Sequence, residues 1–411
     1  MSTTNKEVNE ANNEDNNEEV INSSEEYNPL SEIKDWEDLD LNTELLRGIY
    51  AFGFEKPSAI QSKAIKPLIE KRDIIAQAQS GTGKTATFTI GALANINIKN
   101  NNTQVLVLSP TKELTIQTAK VFESIGAMLG GLRVKTMYGG SNIEEGSSFS
   151  TKNTPHIICG CPGRVYDMMR RDKLSCSKIN LVILDEADEM LSNGFREQVY
   201  NIFQYFNTEV QVALFSATLP DSIQPIVDKI MRNPVKISVK REQLTLAGIK
   251  QYYVAVDDDR QKYLTLKDLY HMLSFSHCII YCNSVKRAQD LYEAMKEDEF
   301  PVCRIHSNMD KFEREKSFGD FKNGGSRVLI STNVTARGID VQQVGMVINF
   351  DIPKDVSTYL HRIGRSGRWG RKGTGINLIT RRDFHKLKEI ETYYTTQIPE
   401  MPEDIVNLIG K

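Results

Sequence analysis

The chain is 411 residues long, 40% hydrophobic and 26% charged, a globular profile with room for two α/β domains. No apolar run reaches the length of a bilayer span, and the first thirty residues lack the basic-then-apolar layout of a signal peptide, which sets membrane and secreted classes aside. The net charge of −3 is unevenly held: ten carboxylates against two lysines give residues 1–35 a net −8, leaving +5 on the rest.

Residues 1–34 are rich in Asn and Glu and poor in aromatics, too polar to offset the entropy of ordering, and are expected to be disordered. From Trp36 onward short apolar runs alternate with helical patterns. Residues 73–77, 105–108, 156–159, 181–184 and 212–215 read as buried parallel strands, each followed by a polar or glycine-bearing loop. Residues 240–248 show no clear apolar face and read as a linker. A second series follows, with strands at 278–281, 327–331 and 346–351. The expected architecture is α/β: two tandem doubly wound parallel-sheet domains, 35–239 and 249–411, joined by 240–248. Ligands of such open sheets sit beyond the carboxyl ends of the strands, where the loops carry the motifs. Cysteines at 159, 161, 176, 278, 282 and 303 have neither framework nor zinc spacing, which fits free thiols in a reducing compartment. The cytoplasm is expected, with the nucleus as the alternative.

Three stretches carry chemistry. Ala78-Gln79-Ser80-Gly81-Thr82-Gly83-Lys84-Thr85 reads as a glycine-rich loop whose N–H groups cradle phosphates at a helix N-terminus. Lys84 would reach the β and γ phosphates of ATP, and the Thr85 hydroxyl would take one Mg2+ position. Asp185, at a strand end, would hold Mg2+, with Glu186 beside it as base or water-positioner. His361-Arg362-Ile363-Gly364-Arg365-Ser366-Gly367-Arg368 reads as the arginine supply for the same site. If so, ATP is a clasp between two domains.

These stretches resemble the DEAD-box RNA helicases, as do Gly53-Phe54-Glu55-Lys56-Pro57-Ser58-Ala59-Ile60-Gln61, Asp185-Glu186-Ala187-Asp188, Ser216-Ala217-Thr218 and Ala336-Arg337-Gly338-Ile339-Asp340. The likeness spans nearly all of residues 36–411 and is greatest to the translation-initiation branch, with the exon-junction branch second. It implies RecA-like domains and an RNA-stimulated, Mg2+-dependent ATPase. It implies that Gln61 reads the adenine edge, that Phe54 stacks on its face, and that Trp36 fills the upstream aromatic position of the nucleotide site. Asp340 would contact the ribose, and Arg365 and Arg368 the γ-phosphate. Ser216, Thr218, His361 and Arg362 would couple phosphate state to RNA, with Arg362 helping to join the domains.

The resemblance also assigns a groove for single-stranded RNA: Pro110, Thr111, Lys112, Gly140 and Arg164 from the first domain, then Asn283, Arg314 and Thr332 from the second. Four positions depart from the family pattern: Lys112 for Arg, Cys161 for Thr, Lys311 for Gln and Asn333 for Asp. They suggest a retuned RNA grip over intact ATP chemistry. The function expected is an ATP-dependent helicase that opens short duplexes as a monomer, with a scaffold protein as partner. The alternative is an ATP-locked RNA clamp with slow hydrolysis.

Overall fold

The structure, a computed structural model, describes residues 32–79, 81–140, 154–192, 194–220, 223–239, 249–272, 277–335, 344–366 and 373–402, with Lys311 described by its backbone alone. Two parallel sheets form the frame. The first contains β1 (Ile74–Gln77), β2 (Val105–Leu108), β3 (Val134–Met137), β4 (Ile157–Gly160), β5 (Leu181–Asp185), β6 (Gln211–Ser216) and β7 (Val235–Ser238), in the order β3-β4-β2-β5-β6-β1-β7. The second contains β8 (Ile249–Ala255), β9 (Cys278–Tyr281), β10 (Val302–Ile305), β11 (Val328–Ser331), β12 (Met346–Asn349) and β13 (Gly373–Ile379), in the order β10-β11-β9-β12-β13-β8. The chain is thus two tandem RecA-like α/β domains. Helices cover both faces of each sheet, which is why the strands read as unbroken apolar runs. Ile74, Val105, Ile183 and Phe215 enter one core, while Ile75, Leu106, Leu184 and Leu214 enter another.

Register decides where the chemistry falls. Gln77 pairs with Ser216, and Asp185 with Phe215, so β1, β6 and β5 end side by side at one rim. In the second sheet Tyr281 pairs with both Ser331 and Asn349, which brings the ends of β9, β11 and β12 together.

The folded body reaches further back than residue 35. Ile33 is buried, its N–H donates to the Ser62 carbonyl, and Glu32 pairs with Lys63 at 3.1 Å. One apolar side chain in a polar stretch was enough to extend the core, against the expectation of disorder through residue 34. Residues 1–31 and the expected linker 240–248 lie outside the described residues.

Candidate nucleotide site and nucleic-acid interface

β1 feeds the glycine-rich loop, and Lys84 opens the helix Lys84–Ala94. Gly81 and Gly83 both have left-handed backbones, φ +82° and +101°. A Cβ on Gly83 would also lie 2.8 Å from Gln61 Nε2, so the loop and the expected adenine-reading side chain share a tight contact. Gln61 Oε1 accepts from the Ser58 N–H at 2.7 Å, while Ser58 Oγ donates to the Thr82 carbonyl at 2.8 Å. The start of the helix Ala59–Ile69 is thereby tied to the loop.

Lys84 is buried, and its Nζ donates to the Ala78 carbonyl at 2.6 Å. Burial lowers its pKa most, opposed by Glu186, Asp185 and Asp188; Arg365 pushes it further down. Arg365 belongs to the second domain, so a guanidinium from that domain is felt at the lysine of the first. The Asp185 carboxyl is raised by burial and then by the Glu186 carboxylate. Glu186 has a left-handed backbone, φ 53°, uncommon for a residue with a side chain and a cost accepted at functional positions.

Asp188 is the hub between the domains. Its two oxygens accept from Ser216 Oγ and Thr218 Oγ1, each at 2.7 Å, and His361 Nε2 lies 3.1 Å from Oδ2. All four residues are buried. Glu186, Asp188 and His361 have the spacing of a metal cluster, but both Asp188 oxygens are engaged by the two hydroxyls and the imidazole, so among the described residues the cluster is a hydrogen-bonded joint. Sequence reasoning quoted Asp188 without giving it a role.

Several expectations are corrected here. Trp36 has no exposed surface; it packs in the first-domain core and donates its indole N–H to the Phe54 carbonyl at 3.1 Å. It therefore braces Phe54 and does not line the nucleotide site. Arg362 does not join the domains. It is wholly buried in the second, donating to Asn333 Oδ1 (2.9 and 2.7 Å), Asn283 Oδ1 (2.8 Å), Asn349 Oδ1 (3.1 Å) and the Asp351 carbonyl (2.8 Å), with Tyr281 stacked 5.1 Å away. Asn283, expected at RNA, has its amide committed to Arg362 and to the Ile352 carbonyl. Asn333 faces that guanidinium, so its departure from Asp falls in the second domain's interior.

Of the remaining residues expected at RNA, Lys112 and Arg314 reach across the domain seam. Thr111 caps the helix Lys112–Ile125, Gly140 has φ +81° with open space around it, and Arg164 pairs with Asp167 at 3.2 Å. Pro110 is buried, as is Thr332, just past β11. Lys112 and Arg314 contact carboxylates of the opposite domain, Glu315 at 2.9 Å and Glu113 at 2.8 Å. The sequence reading placed Glu113 in a segment expected at RNA without a role of its own and did not single out Glu315, although each directly follows a basic residue expected at RNA. Ser80, Asp340 and Arg368 lie outside the described residues.

A nucleotide loop and strand-end acids in one RecA-like domain, met by an arginine-bearing helix end from a second, define a two-domain motor of the helicase class. The DEAD/DEAH box helicase model matches residues 58–226, and the helicase conserved C-terminal domain model matches 261–370. The chain belongs to the DEAD-box family of ATP-dependent RNA helicases. It is 48% identical to eukaryotic initiation factor 4A of Caenorhabditis elegans over 92% of this chain and 93% of that protein. Among solved structures it resembles S. cerevisiae Dbp5 bound to RNA and ADP BeF3, with TM-score 0.86 and 35% identity over 92% of this chain and all of that one. Against a variant of Dbp5 bound to a Gle1 variant and IP6 the TM-score is 0.73, at 34% identity over 92% of this chain and 98% of that one.

Proposed function

We propose that the two domains close on ATP and single-stranded RNA, part short duplexes locally and reopen on hydrolysis, in the service of translation initiation. The contact that carries this reading is His361 against Asp188: the second domain touches the residue that also holds Ser216 and Thr218 at the rim of the nucleotide site. The better fit to RNA- and nucleotide-bound Dbp5 than to the Gle1-bound variant, at matching identity, supports reading the described arrangement as the closed form. The likeness to initiation factor 4A supports the role in initiation, and with it a cytoplasmic monomer working under a scaffold protein.

In this reading the backbone of residues 80–85 cradles the phosphates, and Lys84 leaves the Ala78 carbonyl for them. Gln61 and Phe54 hold adenine, and Asp340 the ribose. Glu186 orients the attacking water. Arg365 and Arg368 meet the charge that builds on the γ-phosphate. Mg2+ fits the site, because Thr85 and Asp185 offer hard oxygen donors and two adjoining buried carboxylates need more positive charge than Lys84 supplies. When bound, it neutralises charge on the phosphate oxygens. Closure builds both sites together, so ATP and RNA bind cooperatively.

The test is steady-state ATP turnover with and without single-stranded RNA, alongside unwinding of a short duplex. Replacing Arg365 or Arg368 with Gln is expected to lower RNA-stimulated turnover by roughly 10³-fold or more. Turnover indifferent to RNA, or untouched by both replacements, would sink the proposal. A long-lived ATP–RNA complex with slow turnover would instead favour the clamp.

A further inference from the structure

Two dipeptides of matching chemistry face each other across the domain seam. Lys112-Glu113 opens the helix Lys112–Ile125 of the first domain, and Arg314-Glu315 lies early in the helix Lys311–Lys322 of the second. Lys112 Nζ is 2.9 Å from Glu315 Oε1, and Arg314 Nη2 is 2.8 Å from Glu113 Oε2. Each domain thus contributes one cation and one anion. Solvent reaches the pairs unequally: Arg314 and Glu113 are 18% and 16% exposed, Lys112 and Glu315 14% and 57%. The inner pair is shielded from salt, whereas the outer one is not.

The lysine's own surroundings favour this partner. Lys112 stands in the first turn of its helix, where the helix dipole is positive and a cation is unfavourable. Glu315 offsets that cost from the opposite domain. The Tyr138 ring, 5.2 Å from Nζ, holds the ammonium from another side. A lysine is a point charge suited to one carboxylate oxygen, without the planar fork that grips a phosphate from two sides.

We propose that Lys112 and Glu315 are positioning residues that close the domains, with Glu113 and Arg314 as the inner half of the same clamp. Lys112 serves the seam in place of the RNA backbone, and the clamp favours closure before RNA arrives. This rests on the closing cycle proposed above. It makes readiness for RNA sensitive to ionic strength through the outer pair.

Glu315→Gln decides the matter, because two readings of the contact predict opposite signs. If the pair closes the seam, removing the acid weakens closure and RNA binding. If the acid only withholds Lys112 from RNA, removing it strengthens RNA binding. The full chain, carrying one fluorophore on each domain, reports closure by energy transfer, and the same samples report ATP turnover against RNA concentration. Glu315→Gln and Lys112→Ala are each expected to lower the closed fraction without ligands and to raise the KM for RNA by about fivefold. Turnover at saturating RNA is expected to hold within about twofold. Reversing the pair, Lys112→Glu with Glu315→Lys, puts both anions on one domain and both cations on the other and is expected to restore closure and KM. Raising salt from about 0.05 to 0.5 M should open the unmodified chain more than Glu315→Gln. Tighter RNA binding by Glu315→Gln, or a reversed pair no better than the single variants, would overturn the proposal. RNA-dependent turnover of the unmodified chain is read alongside, so its absence would count against the closing cycle and not against the clamp alone.

Discussion

Arg362 carries a positive charge into the middle of the second domain, yet its side-chain partners there are three asparagines. Burial holds its pKa down, to about 10, with Tyr281, Cys282, Asp351 and Asp355 opposing. A carboxylate at 333 would replace a neutral acceptor with a charged one, a gain of about 1 kcal/mol per bond. Asn333→Asp is therefore expected to raise the melting temperature, whereas Asn333→Ala should lower it; calorimetry on both variants checks the sign. Trp36 offers a second test. Trp36→Phe keeps an aromatic in the core but removes the donor to the Phe54 carbonyl, so KM for ATP should rise with little loss of stability. Trp36→Ala should cost about 3–5 kcal/mol in denaturant melts. Cys161, beside Thr115 Oγ1 at 3.4 Å, has its thiol pushed up to about 11, chiefly by burial. Its folded value lies above the unfolded one, so its contribution to stability is complete below about pH 8.5 and fades as pH rises through the folded value. Labelling with iodoacetamide near pH 8 should accordingly leave Cys161 largely unmodified in the folded chain. Residue types were legible at all three positions, but their partners were not. Nothing along the chain says that Arg362 turns inward to residues 11 to 79 positions away.

At the scale of elements, the runs at 105–108, 181–184 and 278–281 were legible because both faces of each strand are buried, so no polar alternation interrupts them. β3 escaped notice for the converse reason: Val134, Lys135 and Thr136 are only partly covered, as befits an edge strand with a mixed sequence. Helix contacts were less legible still. Gly48, within the helix Thr43–Ala51, lets that helix pass directly over the Ile125 carbonyl, where an added Cβ would collide with backbone. A glycine inside a helix reads from sequence only as a weak point. Gly48→Ala should here destabilise the first domain despite its better helix propensity, by about 1–3 kcal/mol, as measured by urea titration.

At the scale of the whole molecule, the ordered motifs announced the family and marked the loop, acids and arginines that the proposed nucleotide site uses. What they left unread was the division of labour inside the last motif. His361 points across to Asp188, Arg365 lies where Lys84 feels its charge, and Arg362 stays within its own domain. Removing the imidazole should uncouple the halves. His361→Ala is expected to keep ATP affinity within a few-fold while losing most RNA stimulation, as read by nucleotide titration beside turnover. The backbone of Ala78 would give that coupling a starting point. Its carbonyl receives the Lys84 ammonium, and its N–H donates to the carbonyl of Ser216, whose hydroxyl rests on Asp188. Lys84 is thus tied to the residue that also holds the end of β6. In the proposed cycle, a phosphate that drew the lysine away would release a contact two hydrogen bonds from the residue that meets the other domain, so binding alone would reach that joint.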